Sequence, residues 1–484
     1  MNDLVIPETL AALRAACGSA GAGWAALGLP ARLAVVWRAR RLMAARATAL
    51  AATVQRPIAD TLVAEVLPLL EAARFLERRA PRLLAPRRLW RRRPLWLFGV
   101  TAWLHREPVG TVLILAPGNY PLFLPGVQAL QALVAGNAVA LKPAPEGVVA
   151  AAAFAAVLAE AGLPPGVLRV LDPGDGPSAV AAGFDRIVLT GSAETGARVL
   201  AAAAASLTPC TMELSGSDAV FVLPGADLVL VSRCLAYGLR LNGGATCIAP
   251  RRVFVPRDMA ATLELMVAAL MPHVPDACPA PAVVARLDAL LQAAAEAGGH
   301  VHKAGPGRPA MVADARPEMA LLQEDVFAPW LALVPVDDME QALRFDAACP
   351  FALGASVFGP IEGAQALAGR LRAGSVCIND LIVPTADPRL PFGGGGRSGF
   401  GRTRGAEGLL EMTATKTVSL RSRFRPHLGP PQPEDAGRFA AMVRLLHGGW
   451  REAVPALRAL AGRDVSARGA ARLNRPDGRP PECP

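Results

Sequence analysis

Thr111-Val-Leu-Ile-Leu-Ala-Pro-Gly-Asn-Tyr-Pro121 is the stretch on which the fold reading turns. Its first residues are apolar and rich in β-branched side chains, as in a short strand buried on both faces, and Pro117 and Gly118 stop it. Residues 125–135 then read as a helix, and Asn137-Ala-Val-Ala-Leu-Lys142 as a second strand closed by Pro143. The alternation continues with a helix over 146–162, a strand at 167–171, a helix near 177–182 and the strand Arg186-Ile-Val-Leu-Thr190. Apolar strands alternating with Ala-rich helices at this spacing predict a doubly wound parallel sheet.

Upstream, residues 8–80 carry Ala, Leu and Arg at 3.6-residue spacing and read as helices. A basic-aromatic run follows, Pro86-Arg-Arg-Leu-Trp-Arg-Arg-Arg-Pro-Leu-Trp96, read as a solvated connection anchored by its tryptophans. Residues 97–105 suit one strand of a hairpin. Downstream of Gly216 a second lobe of strand–helix alternation begins. From Arg421 the character changes: a Pro-rich run at 426–433 leads to two short amphipathic helices at 439–447 and 450–460. The Arg/Gly/Pro-rich end reads as disordered.

The chain has 484 residues, enough for two or three lobes, and with 52% hydrophobic but only 5% aromatic residues its core must be built from Ala, Val and Leu. The net charge of +10 is almost all Arg, since Lys142, Lys303 and Lys416 are the only lysines. That pattern fits a GC-rich coding bias better than a nucleic-acid surface. Cysteines at 17, 210, 234, 247, 278, 349, 377 and 483 form no Cys-x-x-Cys pair and no cluster with His. No metal site or disulfide framework is expected, and a reducing, cytoplasmic setting is. The first residues lack a secretory pattern, and the apolar region 109–141 is broken by Pro and Gly, so no membrane span is expected.

Two strings suggest chemistry directly. Asn242-Gly-Gly-Ala-Thr-Cys247 surrounds a thiol with small residues, which suits a nucleophile that a carbonyl must approach closely. Glu213-Leu-Ser-Gly216 sets a carboxylate before a turn, which suits a base that activates water. Together they imply covalent catalysis followed by hydrolysis of a thioester. Asn119, at the end of the first sheet strand, has an amide suited to an oxyanion, or is a turn residue. Lys142 ends the next strand, where its ammonium would reach ribose hydroxyls or a phosphate, or sit exposed at a sheet edge. Gly174-Asp-Gly-Pro-Ser-Ala179 and Thr190-Gly-Ser-Ala-Glu-Thr-Gly196 both follow strands and open helices; the second, with the Ser192 hydroxyl, is preferred for cofactor phosphates. In Leu322-Gln-Glu-Asp-Val-Phe-Ala-Pro329 an acid and a ring suit a ribose and a nicotinamide, or mark the entry to a strand.

Taken in order, these strings resemble the aldehyde dehydrogenase superfamily. The matching text is Pro117-Gly-Asn119-Tyr-Pro, Gly136-Asn-Ala-Val-Ala-Leu-Lys142-Pro, Thr190-Gly-Ser192, Glu213-Leu-Ser-Gly216 and Gly244-Ala-Thr-Cys247. It continues in Glu324-Asp-Val-Phe327-Ala-Pro, Pro391-Phe-Gly-Gly, Ser398-Gly-Phe-Gly-Arg402, Gly408-Leu-Leu-Glu-Met and Thr415-Lys-Thr-Val-Ser-Leu420, and so covers residues 30–420. The resemblance implies an α/β fold with two doubly wound parallel-sheet lobes and a small oligomerisation β element. By position, residues 1–92 and 108–215 would form the cofactor-binding domain and 216–410 the catalytic domain. Residues 93–107 with 411–421 would be the oligomerisation element, pairing with a partner in a homodimer or homotetramer, and 422–484 a C-terminal extension.

The same resemblance implies NAD(P)+-dependent oxidation of an aldehyde to a carboxylic acid. Cys247 would be the nucleophile, Asn119 with the Cys247 N–H the oxyanion hole, and Glu213 the base for thioester hydrolysis. Lys142 would contact the adenosine ribose, Gly191, Ser192 and Gly196 the pyrophosphate, and Asp325 and Phe327 the nicotinamide side. Tyr120, Thr246, Ile248 and Phe392 would line the acyl pocket, which leans toward an apolar or aromatic aldehyde. Three departures stand out: Gly118 where many members have Trp, Pro145 where NAD-preferring members have an acid, and Asp325 where Glu is usual. Losing the acid at 145 removes repulsion against a 2′-phosphate and predicts acceptance of NADP+, while Glu324 would compensate for the shorter Asp325. The alternatives are an acylating dehydrogenase, which needs no water-activating base, and a non-catalytic scaffold on the same fold.

Overall fold

The computed structural model describes residues 10–89, 94, 97, 99–275, 277, 279–303, 305, 307–421, 428–430, 432–433 and 435–461. They fall into two compact units, one of residues up to 87 with 104–417, the other of 88–103 with those from 418 on.

In the first unit, Thr111–Leu115 (β1), Ala138–Lys142 (β2), Leu168–Val170 (β3), Arg186–Gly191 (β4) and Cys210–Leu214 (β5) share one sheet. A second sheet contains Asp218–Val222 (β6), Pro250–Pro256 (β7), His300–Lys303 (β8), Ala310–Ala313 (β9), Trp330–Val336 (β10), Gly354–Phe358 (β11) and Ser375–Ile378 (β12). Gly399–Phe400 (β13) returns to the first sheet as an antiparallel edge beside β5. The strand orders are β13–β5–β4–β1–β2–β3 and β8–β9–β10–β7–β6–β11–β12. Only the β13–β5 and β8–β9 ladders are antiparallel; every other ladder in the two sheets is parallel.

In the first sheet β1 has β2 on one side and β4 on the other, so the chain leaves β1 and β4 in opposite senses. A crevice opens at such a switch point beyond the carboxyl ends of the strands. Asn119 follows β1 and Ser192 follows β4, so the topology brings both to the crevice. The sheet around it is dry: Val112, Leu113 and Ile114 have no exposed surface. The helix Phe123–Ala135, which carries no charged side chain, is buried throughout. It begins two residues before the expected 125, because an upstream carboxylate accepts from its first N–H groups.

The expected N-terminal helices are present, chiefly Leu10–Ala26, Gly28–Ala45 and Leu67–Leu83, the last preceded by the π-helical turn Leu62–Val66. A three-stranded sheet has Val100–Pro108 between Arg87–Leu89 and Thr413–Arg421. The strand expected at 97–105 is thus shifted to 100–108. In the second unit Asp435–His447 packs on Trp450–Leu460. Trp90, Trp96 and the Arg-rich end at 462–484 lie outside the described residues. Among the described residues no single helix is long and apolar enough to cross a membrane.

Candidate active site

The turn that carries Asn119 and Tyr120 is pinned from below by Glu65, a fully buried residue of the π-helical turn. Its Oε2 accepts from the backbone N–H groups of Leu122 (2.8 Å) and Phe123 (2.9 Å), which open the buried helix. Its Oε1 accepts from Arg56. Nη2 of Arg56 also donates to the carbonyl of Asn119 at 2.9 Å, and the guanidinium lies 5.1 Å over the Tyr120 ring. Burial pushes the Glu65 carboxyl up, and Arg56 with the two N–H donors holds its anion against that shift.

The Cys247 loop follows the helix Leu228–Arg240 and precedes β7. Asn242, Gly243 and Gly244 all have positive φ (52°, 58° and 72°). A Cβ on Gly244 would lie 2.5 Å from the carbonyl oxygen of Ala328, so this turn requires glycine. Arg251, itself buried, clamps the loop: it donates to the carbonyls of Gly244 (2.6 Å), Ala328 (2.7 Å) and Trp330 (3.0 Å). The Asn242 amide ties the loop to the β1 turn, donating to the carbonyls of Asn119 (2.9 Å) and Ala245 (3.1 Å). The Asn119 amide itself donates to Ala245 at 2.9 Å, which leaves one of its two N–H groups for another acceptor.

Glu213 is buried on β5, where Oε2 accepts the Thr403 hydroxyl at 2.6 Å and Oε1 has no partner. Burial pushes its carboxyl up, against the nearby Arg404 cation and the Thr403 hydrogen bond. Burial likewise pushes the Cys247 thiol up, and the carboxylates of Glu213 and Asp218 add to the shift.

Cys247 and Glu213 stand in the common wall of two cavities. The first, about 680 Å3, is also lined by Asn119, Gly191, Ser192, Ser215, Asp325 and Phe327. Among its lining, Glu213 Oε1 is buried without a partner, and the Ser215 hydroxyl and the Asp325 carboxyl lie close enough that Ser215 pulls against the upward push of burial on Asp325. The second, about 250 Å3, is lined by Tyr120, Thr246, Ile248 and Phe392, with the Tyr120 and Thr246 hydroxyls 2.8 Å apart.

Two predicted cofactor residues stand apart from the first cavity. Lys142 lies beside Gly176, where a Cβ would be 3.8 Å from its Cε, outside the cavity lining. Gly196 is also outside it, and a Cβ there would lie 2.7 Å from Cδ1 of Leu214, so it serves helix-on-strand packing. Ser192 caps the helix Ala193–Ala203 by accepting from the N–H of Thr195 at 3.2 Å. Glu324, expected to compensate for the shorter Asp325, lines the same cavity and pairs there with Arg286, whose Nε donates at 3.0 Å. The acid missing at 145 recurs next door, since Oε2 of Glu146 would lie 2.8 Å from a Cβ on Gly118. Arg56, Glu65, Arg251, Thr403 and Arg404 escaped the sequence reading; each acts across at least seven residues of chain and has no local motif. Among the described residues no three metal-binding side chains come together.

The model of the aldehyde dehydrogenase family matches residues 7–418. The chain belongs to the aldehyde dehydrogenase family. It is therefore an oxidoreductase that acts on the aldehyde group. It is 32% identical over 409 residues to the 4,4′-diapolycopene aldehyde oxidase of a Methylomonas species, covering 80% of this chain and 77% of that one. It is 34% identical over 337 residues to the NAD+ benzaldehyde dehydrogenase of Pseudomonas putida, covering 65% and 69%. Among solved structures, the aldehyde dehydrogenase of Mycobacterium tuberculosis complexed with NAD+ superposes with a TM-score of 0.78 at 27% identity, covering 86% of this chain and 90% of that one.

Proposed function

We propose that this family member oxidises its aldehyde to a free carboxylic acid through a thioester on Cys247, hydrolysed with Glu213 as base and with NAD+ or NADP+ as acceptor. The observation that carries the reading is that Cys247 and Glu213 line both the larger and the smaller cavity. Such an arrangement lets one thiol meet an aldehyde from one side and a nicotinamide from the other.

The residues of the larger cavity fit the cofactor. The Asp325 carboxyl and the Ser215 hydroxyl beside it suit hydroxyl and amide donors, Phe327 suits the flank of a flat ring, and Gly191 and Ser192 begin a helix whose N-terminus suits a phosphate. When bound, the cofactor takes a hydride from the substrate carbon. The six-stranded lobe would hold it, and the seven-stranded lobe would present Cys247.

Cys247 adds to the aldehyde carbon as the thiolate, and the alkoxide that forms is met by the free N–H of Asn119 and the backbone N–H of Cys247. Loss of hydride leaves the acyl group on sulfur. Glu213, through its unpartnered Oε1, takes a proton from water, whose oxygen attacks the thioester carbon. The C–S bond breaks, the acid leaves and the thiolate is restored. Tyr120, Thr246, Ile248 and Phe392 would form the acyl wall.

A homodimer or homotetramer fits the strand Thr413–Arg421, which is last in its sheet and exposed along most of its length, so its outer edge can pair with another copy. Among the described residues Cys210, Cys234, Cys247, Cys349 and Cys377 form no disulfide, which suits a cytoplasmic setting. The test is cofactor reduction with an aldehyde panel, with and without coenzyme A, in wild type and Cys247→Ala. The reading predicts acid release without coenzyme A and no turnover in the variant. An absolute need for coenzyme A, or activity that survives in Cys247→Ala, would overturn it.

A further inference from the structure

Arg404 lines the smaller cavity, and the reaction described above gives it no part. It is only 6% exposed, with its guanidinium 4.1 Å over the Phe392 ring and 5.7 Å from that of Phe123. Nη1 donates to the Thr385 carbonyl at 2.7 Å, whereas Nε is buried without a partner. Among the described residues no carboxylate lies within ion-pairing distance of it. The Glu213 carboxylate acts on it only from beyond ion-pairing distance, and burying a cation with so little compensation is costly. The backbone adds to the cost, because Arg404 has a φ of 60°, in the left-handed region that a long side chain rarely adopts. Arg240, the other guanidinium on this cavity, is already paired with Asp60 at 3.2 Å. The remaining wall is largely aromatic and aliphatic, with the Thr246 and Thr385 side chains, the Cys247 thiol and two carboxylates, Asp60 paired with Arg240 and Glu213 bonded by Thr403. An anion entering the cavity therefore meets one cation with donors to spare.

Resting on the function proposed above, we propose that Arg404 is a specificity-determining residue. It holds the remote carboxylate of an aldehyde acid, so the substrate class of this cavity is the oxo acid rather than the plain alkanal or aryl aldehyde. This reverses the apolar lean of the sequence reading, which had no means of placing an arginine here. A guanidinium packed over an aromatic ring still has N–H donors to offer a carboxylate, and charge-assisted bonds of this kind are the strong ones.

The test compares kcat/KM for 6-oxohexanoate against hexanal and for 4-carboxybenzaldehyde against benzaldehyde. Wild type is expected to favour the acid in each pair by about ten- to a hundredfold. Arg404→Met should abolish that preference and Arg404→Lys should retain part of it. Without turnover, calorimetry on Cys247→Ala should find adipate bound more tightly than hexanoate, a difference lost in Cys247→Ala/Arg404→Met. If wild type shows no preference for the acids, the proposal fails even if the methionine variant does not fold. It fails equally if Arg404→Met slows all four aldehydes alike and shifts the pH profile, because the cation would then serve Cys247 or Glu213. Selective adipate binding without turnover of any aldehyde would instead sink the proposed function and leave this assignment standing.

Discussion

The hydroxyl of Thr403 donates to one oxygen of Glu213 across 2.6 Å, while the other oxygen has no partner. One oxygen is thus fixed and the other left for water. A hydrogen bond to an ion contributes about 1.5–3 kcal/mol. Thr403→Val should therefore slow thioester hydrolysis about tenfold or more while acylation proceeds. Stopped-flow absorbance is expected to show a burst of about one reduced cofactor per subunit before a slow steady state. A variant with wild-type kcat and no burst would mean that this contact does not position the base.

The raised carboxyl of Glu213 and the raised thiol of Cys247 both point to more activity at higher pH. Each acts only when deprotonated, so kcat and kcat/KM should climb from neutral into alkaline pH. The stability effect has the opposite sign. A carboxyl raised by folding keeps its proton in the native state after the unfolded chain has lost it, so stability falls as pH rises from the ordinary carboxylate value through the raised one. Glu213→Gln removes this loss. Its Tm should exceed that of wild type at neutral and alkaline pH, and the gap should close near pH 4; thermal melts across pH check it.

Residues 111–142 announced the first sheet because strand and helix there are each coded locally: β-branched apolar runs, then Ala and Leu, with Pro and Gly between. The turn before Cys247 was equally legible, since Gly243 and Gly244 mark a backbone that needs positive φ. Glu65 and Arg56 were not. They sit in text that reads as continuous helix, and their work is done on residues 119–123, more than fifty positions later. Thr403 and Arg404 follow a glycine run that says turn but not which side chains face the cavities. Lys142 and Gly196 were placed by order along the chain, which could not show that Gly176 lies beside the first and Leu214 beside the second.

Arg56 and Glu65 join the N-terminal helices to the turn that carries Asn119. Removing one member of a buried ion pair leaves the other unpaired and costs about 3–5 kcal/mol. Arg56→Met should lower the denaturant midpoint accordingly and reduce kcat as well, because the Asn119 carbonyl loses one of its two donors. The double variant Arg56→Met/Glu65→Leu should recover part of the stability but not the kcat, since Glu65 also caps the buried helix. Equilibrium unfolding and initial rates on the three proteins separate the two effects. Equal losses in the single and double variants would refute the coupling.

Coenzyme choice rests on a carboxylate that has moved rather than vanished. Pro145 removes the acid expected beside Lys142, and Glu146 lies against Gly118 in the lining of the larger cavity. If the 2′-phosphate binds on the Lys142 side, no acid at 145 stands there to repel it, and NADP+ should be used at least as well as NAD+. The expected ratio of kcat/KM for NADP+ over NAD+ is one or more, falling as salt is raised because the phosphate contact is ionic. Pro145→Glu should restore the repulsion and lower the ratio about tenfold, the scale of a single like-charge contact near a protein surface. A wild-type ratio well below one that rises in Glu146→Gln would instead mean that Glu146 performs the discrimination from its new position.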